Sequence, residues 1–267
     1  MNIKNLVDTA KNISNIAPQA YSDVVQPPAQ NVGKTLSTVT ELLNTLLTPI
    51  ELLNKTVSIK KEQFLSEYKS NIDSIPKEKF CQANFAIVAP MIEHLKYKIT
   101  EDELRQKYAK LISEVSNSDS LTKPLLSFDN VLDQLSPYEI ELLTLLFAEN
   151  PYGNYPLASI KKTSQLGYNI LYKNMANISF KNFTSDVISI MISNLERVGI
   201  IFIDYFQFVE PAKEYDYVQN SDLYIKISAE CEQERNTTNL KYPNCLIDKH
   251  MFCLTEFGVS FVQTIIT

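Results

Sequence analysis

Glycine is nearly absent from this chain. Five occur in 267 residues, at Gly33, Gly153, Gly167, Gly199 and Gly258. Folds built on many tight hairpins need glycine wherever φ turns positive, so such folds are poorly served here. Leu and Ile recur at three- and four-residue spacing instead, which is the period of one helix face. The chain is therefore expected to be mainly α.

Helices can be placed along it. Ile3, Leu6, Val7 and Ile13 suggest a weak helix over residues 1 to 17. Val32, Leu36, Val39, Leu43 and Leu46 or Leu47 predict a helix that Thr48-Pro49 interrupts, because proline fits a first turn better than an interior. A second helix is expected to run to about Asn71. Ser74-Ile75-Pro76 reads as another helix start, and Pro90 as the opening or kink of a helix holding Met91, Ile92 and Leu95. Thr100-Glu101-Asp102-Glu103 and Ser136-Pro137-Tyr138-Glu139 each match a capping box, in which hydroxyl and carboxylate satisfy unpaired N–H groups reciprocally. Leu104, Tyr108, Leu111 and Ile112 follow the first box, and Leu142, Leu143, Leu146 and Phe147 the second.

Asn150 to Pro156 (NPYGNYP) combines two prolines, a glycine and two asparagines, which marks a linker. A domain boundary is placed there, giving a helical unit over 1–150 and a second unit over 151–267. In the second unit Val187, Ile188, Met191, Ile192, Leu195 and Val198 form a helical stripe that stops at Gly199. Ile200 to Phe208 is β-rich. Leu223, Ile225 and Ile227 alternate with polar residues as in a half-buried strand, Met251 to Leu254 reads as a short strand, and Thr255 caps a closing helix. This order resembles the end of a winged-helix domain. The expected fold is a multi-helix N-terminal bundle followed by a small α+β winged-helix-like C-terminal domain.

Charge narrows the partners. The net charge is −6, and the first 136 residues carry 15 basic and 16 acidic groups. Neither half offers the basic surface on which phosphate neutralisation depends. Residues 80 to 92 are the longest uncharged run, 13 residues with Pro90 inside, against the roughly 20 apolar residues of a membrane span. The first residues carry no apolar signal core, and a cytoplasmic location is expected. Peripheral membrane contact through Val32 to Leu53 is left open, although its polar face is Thr, Ser, Asn and Glu rather than basic.

The reactive side chains converge on no recognised chemistry. Cys231, Cys245, His250 and Cys253 could supply four zinc ligands, but only His250 and Cys253 have ligand-pair spacing, and on a strand they face opposite ways. No metal and no cofactor are expected. Cys81 with His94 would be a nucleophile–base pair without a visible third member. Glu67-Tyr68-Lys69 has an E-x-K spacing inside a lysine-rich helical run. Gly33-Lys34-Thr35 matches the end of a phosphate-binding loop, but Pro28 and Gln30 stand where that loop needs freedom. On the helix from Thr184 to Val198, Ser185, Asp186, Ser189, Ser193, Asn194, Glu196 and Arg197 are expected to be exposed. One arginine against two acids is a poor base reader, which leaves DNA as the weaker of two binding readings.

One segment has a specific shape without an evident reaction. In Tyr21 to Lys34 the prolines at 27 and 28 fix two φ angles and remove two donors. The run Tyr21-Ser22-Asp23-Val24-Val25-Gln26-Pro27, with Val32-Gly33-Lys34-Thr35-Leu36, resembles the opening motif of the abortive infection alpha (Abi-alpha) family. Ile87 to Lys98, Glu103-Leu104-Arg105, Tyr108 to Ile112 and Phe128 to Leu143 extend the similarity, with Leu135-Ser136-Pro137-Tyr138-Glu139 at its centre. It covers residues 15 to 150 best. The resemblance implies an intracellular, non-enzymatic antiphage protein that binds a phage or host protein. The partner-binding candidates are Tyr21, Asp23, Gln26, Pro27, Gly33 and Lys34. Their structural alternative is that Tyr21 packs, Asp23 caps a turn and the prolines steer the chain into the Val32 helix.

Overall fold

The computed structural model describes residues 28–51, 55–164, 167–237 and 244–266. The first helix, α1, spans Pro28–Glu51 and has proline at its first position, where a missing N–H costs nothing. Val39, Leu43 and Leu47 form its buried stripe. Pro49 does not interrupt it as expected: it falls in the last turn, where only one backbone bond is forfeited. Two threonines of α1 turn their hydroxyls back on the helix, Thr38 to the Lys34 carbonyl and Thr40 to that of Leu36.

Helix α2 spans Lys55–Ser74 and α3 spans Phe85–Lys98, the latter capped by the Asn84 side chain, which accepts from Ala86 N at 3.0 Å. Pro90 lies inside α3 rather than at its start. Helix α4, Asp102–Glu114, is the axis of the bundle. Leu104, Tyr108, Ala109, Leu111 and Ile112 are buried, and so are its polar Arg105, Ser113 and Glu114. It packs against α2 and α3, against α5 (Leu125–Gln134) and α6 (Pro137–Phe147), and against the last turn of the chain. The capping box expected at Thr100 does not form. The helix starts one residue later than that spacing needs, with Glu101 at the cap position and no side-chain bond there. The Ser136 box forms in full: Ser136 Oγ accepts from Glu139 N at 3.3 Å, and the Glu139 carboxylate accepts from Ser136 N at 2.7 Å.

After a turn closed by Gly153 N to the Asn150 carbonyl, Tyr155 opens strand β1, Tyr155–Ser164, and its hydroxyl donates to the Leu146 carbonyl. Strand β2 is Gly167–Ala176, helix α7 is Ser185–Arg197, β3 is Ile201–Asp204 and β4 is Asn244–Leu254. These strands make an antiparallel sheet in the order β2-β1-β4-β3. A register shift around Ser159 in the β1–β2 pairing faces Asn174, which has φ 59°. The strand expected at 223–227 is instead part of helix α8, Asp222–Thr237. Leu223, Ile227 and Cys231 are also four residues apart, and that face packs on the sheet beside Ile247 and Val218 while Ile225 is exposed. Ser221 starts the helix by accepting from Tyr224 N at 3.1 Å. Two competing periods were present, and tertiary packing selected the helical one.

The sheet is apolar on both faces. One face, with Leu157, Phe252 and Ile203, joins the bundle core; the other, with Ile160 and Met175, is covered by residues 212–237. Described residues on both sides of Asn150 share that first cluster. Gly199 ends α7 with φ 78°, as expected. Thr255 caps α9, Glu256–Phe261, accepting from Gly258 N at 2.9 Å and donating its hydroxyl to the Gly199 carbonyl. Phe257 and Phe261 then meet the ring of Phe128 on α5 edge-on, at 5.2 and 5.5 Å between centroids. No helix among the described residues is long and apolar enough to cross a membrane.

Two stability measurements test this architecture. A Cβ at Gly258 would stand 2.0 Å from the Ile200 carbonyl oxygen, whereas one at Gly33 meets nothing within 4 Å. Gly258→Ala is expected to lower stability by about 2 kcal/mol through overpacking. Gly33→Ala should raise it by about 0.5–1 kcal/mol, the ordinary gain in a helix interior. Denaturant midpoints for the two variants would read both effects. Arg105 is buried, and its guanidinium holds Glu67 through Nε at 3.1 Å and Nη2 at 2.8 Å, and also Asp102. Arg105→Leu is expected to cost about 2–4 kcal/mol by leaving Glu67 without its cation, while Asp102 keeps Lys60 at 2.6 Å. Adding Glu67→Gln should recover part of that loss; strict additivity of the two would show that the pair is not coupled.

Candidate functional site

Among the described residues, the zinc and nucleophile candidates nominated from sequence do not assemble into a site. Tyr21, Asp23, Gln26 and Pro27, with the helix expected over residues 1–17, lie outside the described residues. Gly33 and Lys34 are exposed in the early turns of α1. The four zinc candidates do not converge: among the described residues no three His, Cys, Asp or Glu side chains are placed to hold a metal. Cys245 lies near Cys231, and its thiol is pushed up to about 11, mainly by burial. His250 is buried, with one ring nitrogen 3.1 Å from the Asp248 carbonyl and the other 3.3 Å from the Asn174 side chain. Burial lowers its pKa, which keeps the ring neutral. The E-x-K spacing carries no chemistry, because Glu67 is bound by Arg105 and Tyr68 is core.

His94 pairs with Asp129 rather than with Cys81. Its Nδ1 lies 3.0 Å from each Asp129 oxygen, across α3 and α5. Burial raises the Asp129 pKa and the histidine pulls it back down. An aspartate holding an imidazole is two-thirds of a nucleophile-activating arrangement. The third member is missing: among the described residues no hydroxyl or thiol hydrogen-bonds to His94. The Cys81 thiol is 3.8 Å from the Val115 carbonyl. This pair ties two helices together.

The polar face expected on α7 is largely occupied from within. Tyr172 donates to Asp186, and Ser189 donates to the Lys173 carbonyl at 2.7 Å. Asn194 donates to Glu139 at 2.6 Å, and Arg197 binds Gln134 and Asn194. Ser185, Ser189, Asn194 and Glu196 are accordingly half-buried, where exposure was expected. The one arginine of that face is already spoken for.

What the fold does display is a group of aromatic rings after β3. Phe202 is exposed on that strand, and Tyr205, Phe206 and Phe208 follow it, Phe206 with 97% of its surface open. The segment is pinned at both ends. The Asp204 carboxylate accepts from the backbone N–H of Phe206 at 2.8 Å and of Gln207 at 3.1 Å, a side-chain mimic of a backbone turn. Tyr215 accepts from Val209 N at 2.9 Å and donates to the His250 carbonyl at 2.8 Å, which fastens the far end to β4. The Tyr205 ring leans on His250 and sits under the Lys173 ammonium. A held backbone with open rings suits contact with another surface, since little order remains to be lost on binding. Sequence reading passed over these rings by taking Ile200 to Phe208 as strand. The signal was three aromatics in Tyr205-Phe206-Gln207-Phe208, too many for one buried face of a short strand.

Comparison with known proteins adds a family. No curated protein matches the chain. A solved structure of an uncharacterized protein from the hydrocarbon-degrading marine bacterium Alcanivorax borkumensis SK2 is similar in part. It is 15% identical, with 53% of this chain and 94% of that one covered, at a TM-score of 0.35. The family model described as abortive infection alpha matches residues 58–265. That span starts in the first turn of α2 and ends in the closing turn. It includes α4, the sheet and the aromatic segment, and it extends well beyond the region 15–150 where the resemblance was expected to be best. The proline segment that suggested the family falls outside the span, while the buried axis and the sheet fall within it: this chain belongs to the abortive infection alpha family.

Proposed function

We propose that this protein acts in phage defence of the abortive infection type by binding a partner protein, of phage or host origin, and not by catalysing a reaction. The observation that carries this reading is the pinned aromatic segment Tyr205–Phe208 with Phe202 beside it. Aromatic rings are the side chains that most often dominate binding energy at protein interfaces. The family name supports the defence role.

The order α7, β3, β4, α9, with the glycine exit at Gly199, supports reading the tail as a winged-helix-like module used for protein contact. The intramolecular bonds of Asp186, Asn194 and Arg197 argue against its use on DNA. The segment from Tyr21 to Lys34 remains a second proposed contact, with Gly33 and Lys34 at its exposed end.

Phe206→Ser with Phe208→Ser tests the main claim. The rings are exposed, so the double variant should keep wild-type stability within about 0.5 kcal/mol. In a plaque assay against a phage that the wild type restricts, protection should be lost, and the same change should abolish capture of the partner from infected cells. Full protection by a stably folded double variant would refute the surface assigned here. Asp23→Ala with Gln26→Ala in parallel separates the two proposed contacts, because only a binding role lets protection fall while the melting temperature holds.

A further inference from the structure

A groove of about 480 Å³ lies between α2 and α4, lined also by Ile265 and Ile266 of the closing turn. This is within the size range of small-molecule sites. Ser66, Ser70 and Asn71 from α2 line it opposite Gln106, Lys107 and Lys110 from α4. The pattern follows from helix geometry: Ser66 with Ser70, and Gln106 with Lys110, are each four residues apart and so share a face. Every one of these six side chains can donate a hydrogen bond.

The charges around the groove leave it receptive to an anion. Its one acidic lining residue, Glu67, is held by the fork of Arg105 at 2.8 and 3.1 Å. Glu114, 3.7 Å from Lys110, also accepts from Ser120 and from Asn117. Lys107 is half-buried and donates to the Ile266 carbonyl at 3.2 Å, a neutral acceptor. Desolvation lowers its pKa against the pull of Glu103, with Lys110 adding to the lowering. Of the three donors of this ammonium, the Ile266 carbonyl takes one.

We propose that this groove binds a small phosphate-bearing molecule, with the phosphoryl group at Lys107 and Lys110 and the remainder along Ser66, Ser70 and Asn71. Phosphate oxygens accept several donors at once, and lysine serves such groups as a point charge. The volume exceeds what a bare phosphate fills, so the ligand has an organic part of about the size of a nucleoside or a sugar. This site is independent of the aromatic surface: one lies between bundle helices, the other beyond β3.

Titration of the full chain with adenosine monophosphate, ribose 5-phosphate, inorganic phosphate and adenosine tests the assignment by calorimetry and thermal shift. At least one organic phosphate should bind and raise the melting temperature, and adenosine should not. Tighter binding of the nucleotide than of ribose 5-phosphate assigns a nucleotide; equal binding assigns a sugar phosphate. Lys107→Gln should weaken binding about tenfold or more, the loss of a charge-assisted bond, while Lys77→Gln outside the groove leaves it unchanged. Should Lys107→Gln fail to fold, Ser70→Ala with Lys110→Gln gives the same reading. Three results overturn the proposal: no binding of either organic phosphate up to about 1 mM, adenosine binding as tightly as its monophosphate, or inorganic phosphate binding as tightly as both.

Discussion

Helix α4 is buried on all but one narrow face, and the rest of the molecule is arranged to make that affordable. A helix with water on one face can keep its charged residues there. This one keeps a narrow face of that kind at Glu103, Gln106, Lys107 and Lys110, and it still carries Arg105, Ser113 and Glu114 into the interior. Each is answered by a neighbour: Arg105 by Glu67 and Asp102, Ser113 by the Lys110 carbonyl, Glu114 by Ser120 and Asn117. Those partners come from α2, from α4 itself and from the turn that follows it. The apolar contacts of α4 specify that something packs there; the polar contacts specify which residues stand opposite.

This arrangement separates a stiff interior from a surface available for contact. The sheet is held on one face by the bundle core and on the other by α8 and its approach, so both faces are committed. What remains open lies along the first half of β2, at Phe202 on β3 and in the connections. The aromatic segment after β3 is such a connection. Its exposure is sustained by two polar anchors, Asp204 and Tyr215, that fix the backbone without covering the rings. Exposed phenylalanine costs solubility and gains nothing in folding, so its presence on an anchored turn points outward.

Much of this was legible in the sequence where the signal was local. Ser136 and Glu139 announce their box because both groups that satisfy each other lie within four residues. Gly199 and Thr255 announce a helix end and a helix start for the same reason. Thr100 fails although its spacing is right, because the helix begins at Asp102 and Asp102 is recruited by Lys60 and Arg105. Leu223 to Ile227 fails because two residues' spacing and four residues' spacing both fit, and the deciding contact, Ile247 on β4, is distant in sequence. The groove between α2 and α4 could not be read at all. Ser66 and Ser70 look like any solvated helix face until Lys107 and Lys110 are set across from them.

The closing turn of the chain makes the same point about distance. Phe257 and Phe261 are four residues apart and would suit any helix face. They matter because Phe128, which lies more than a hundred residues earlier, receives both rings edge-on. The turn reaches that position only because α9 starts against Ile200. There Gly258 allows the backbone to approach, and Thr255 binds the Gly199 carbonyl. One glycine that leaves a helix and another that admits a carbonyl therefore fix the direction in which the last residues travel. That direction carries Ile265 and Ile266 past α4 to Lys107, where they join the lining of the groove. The shape of the groove, set between two N-terminal helices, thus depends on the junction of β3 and α9.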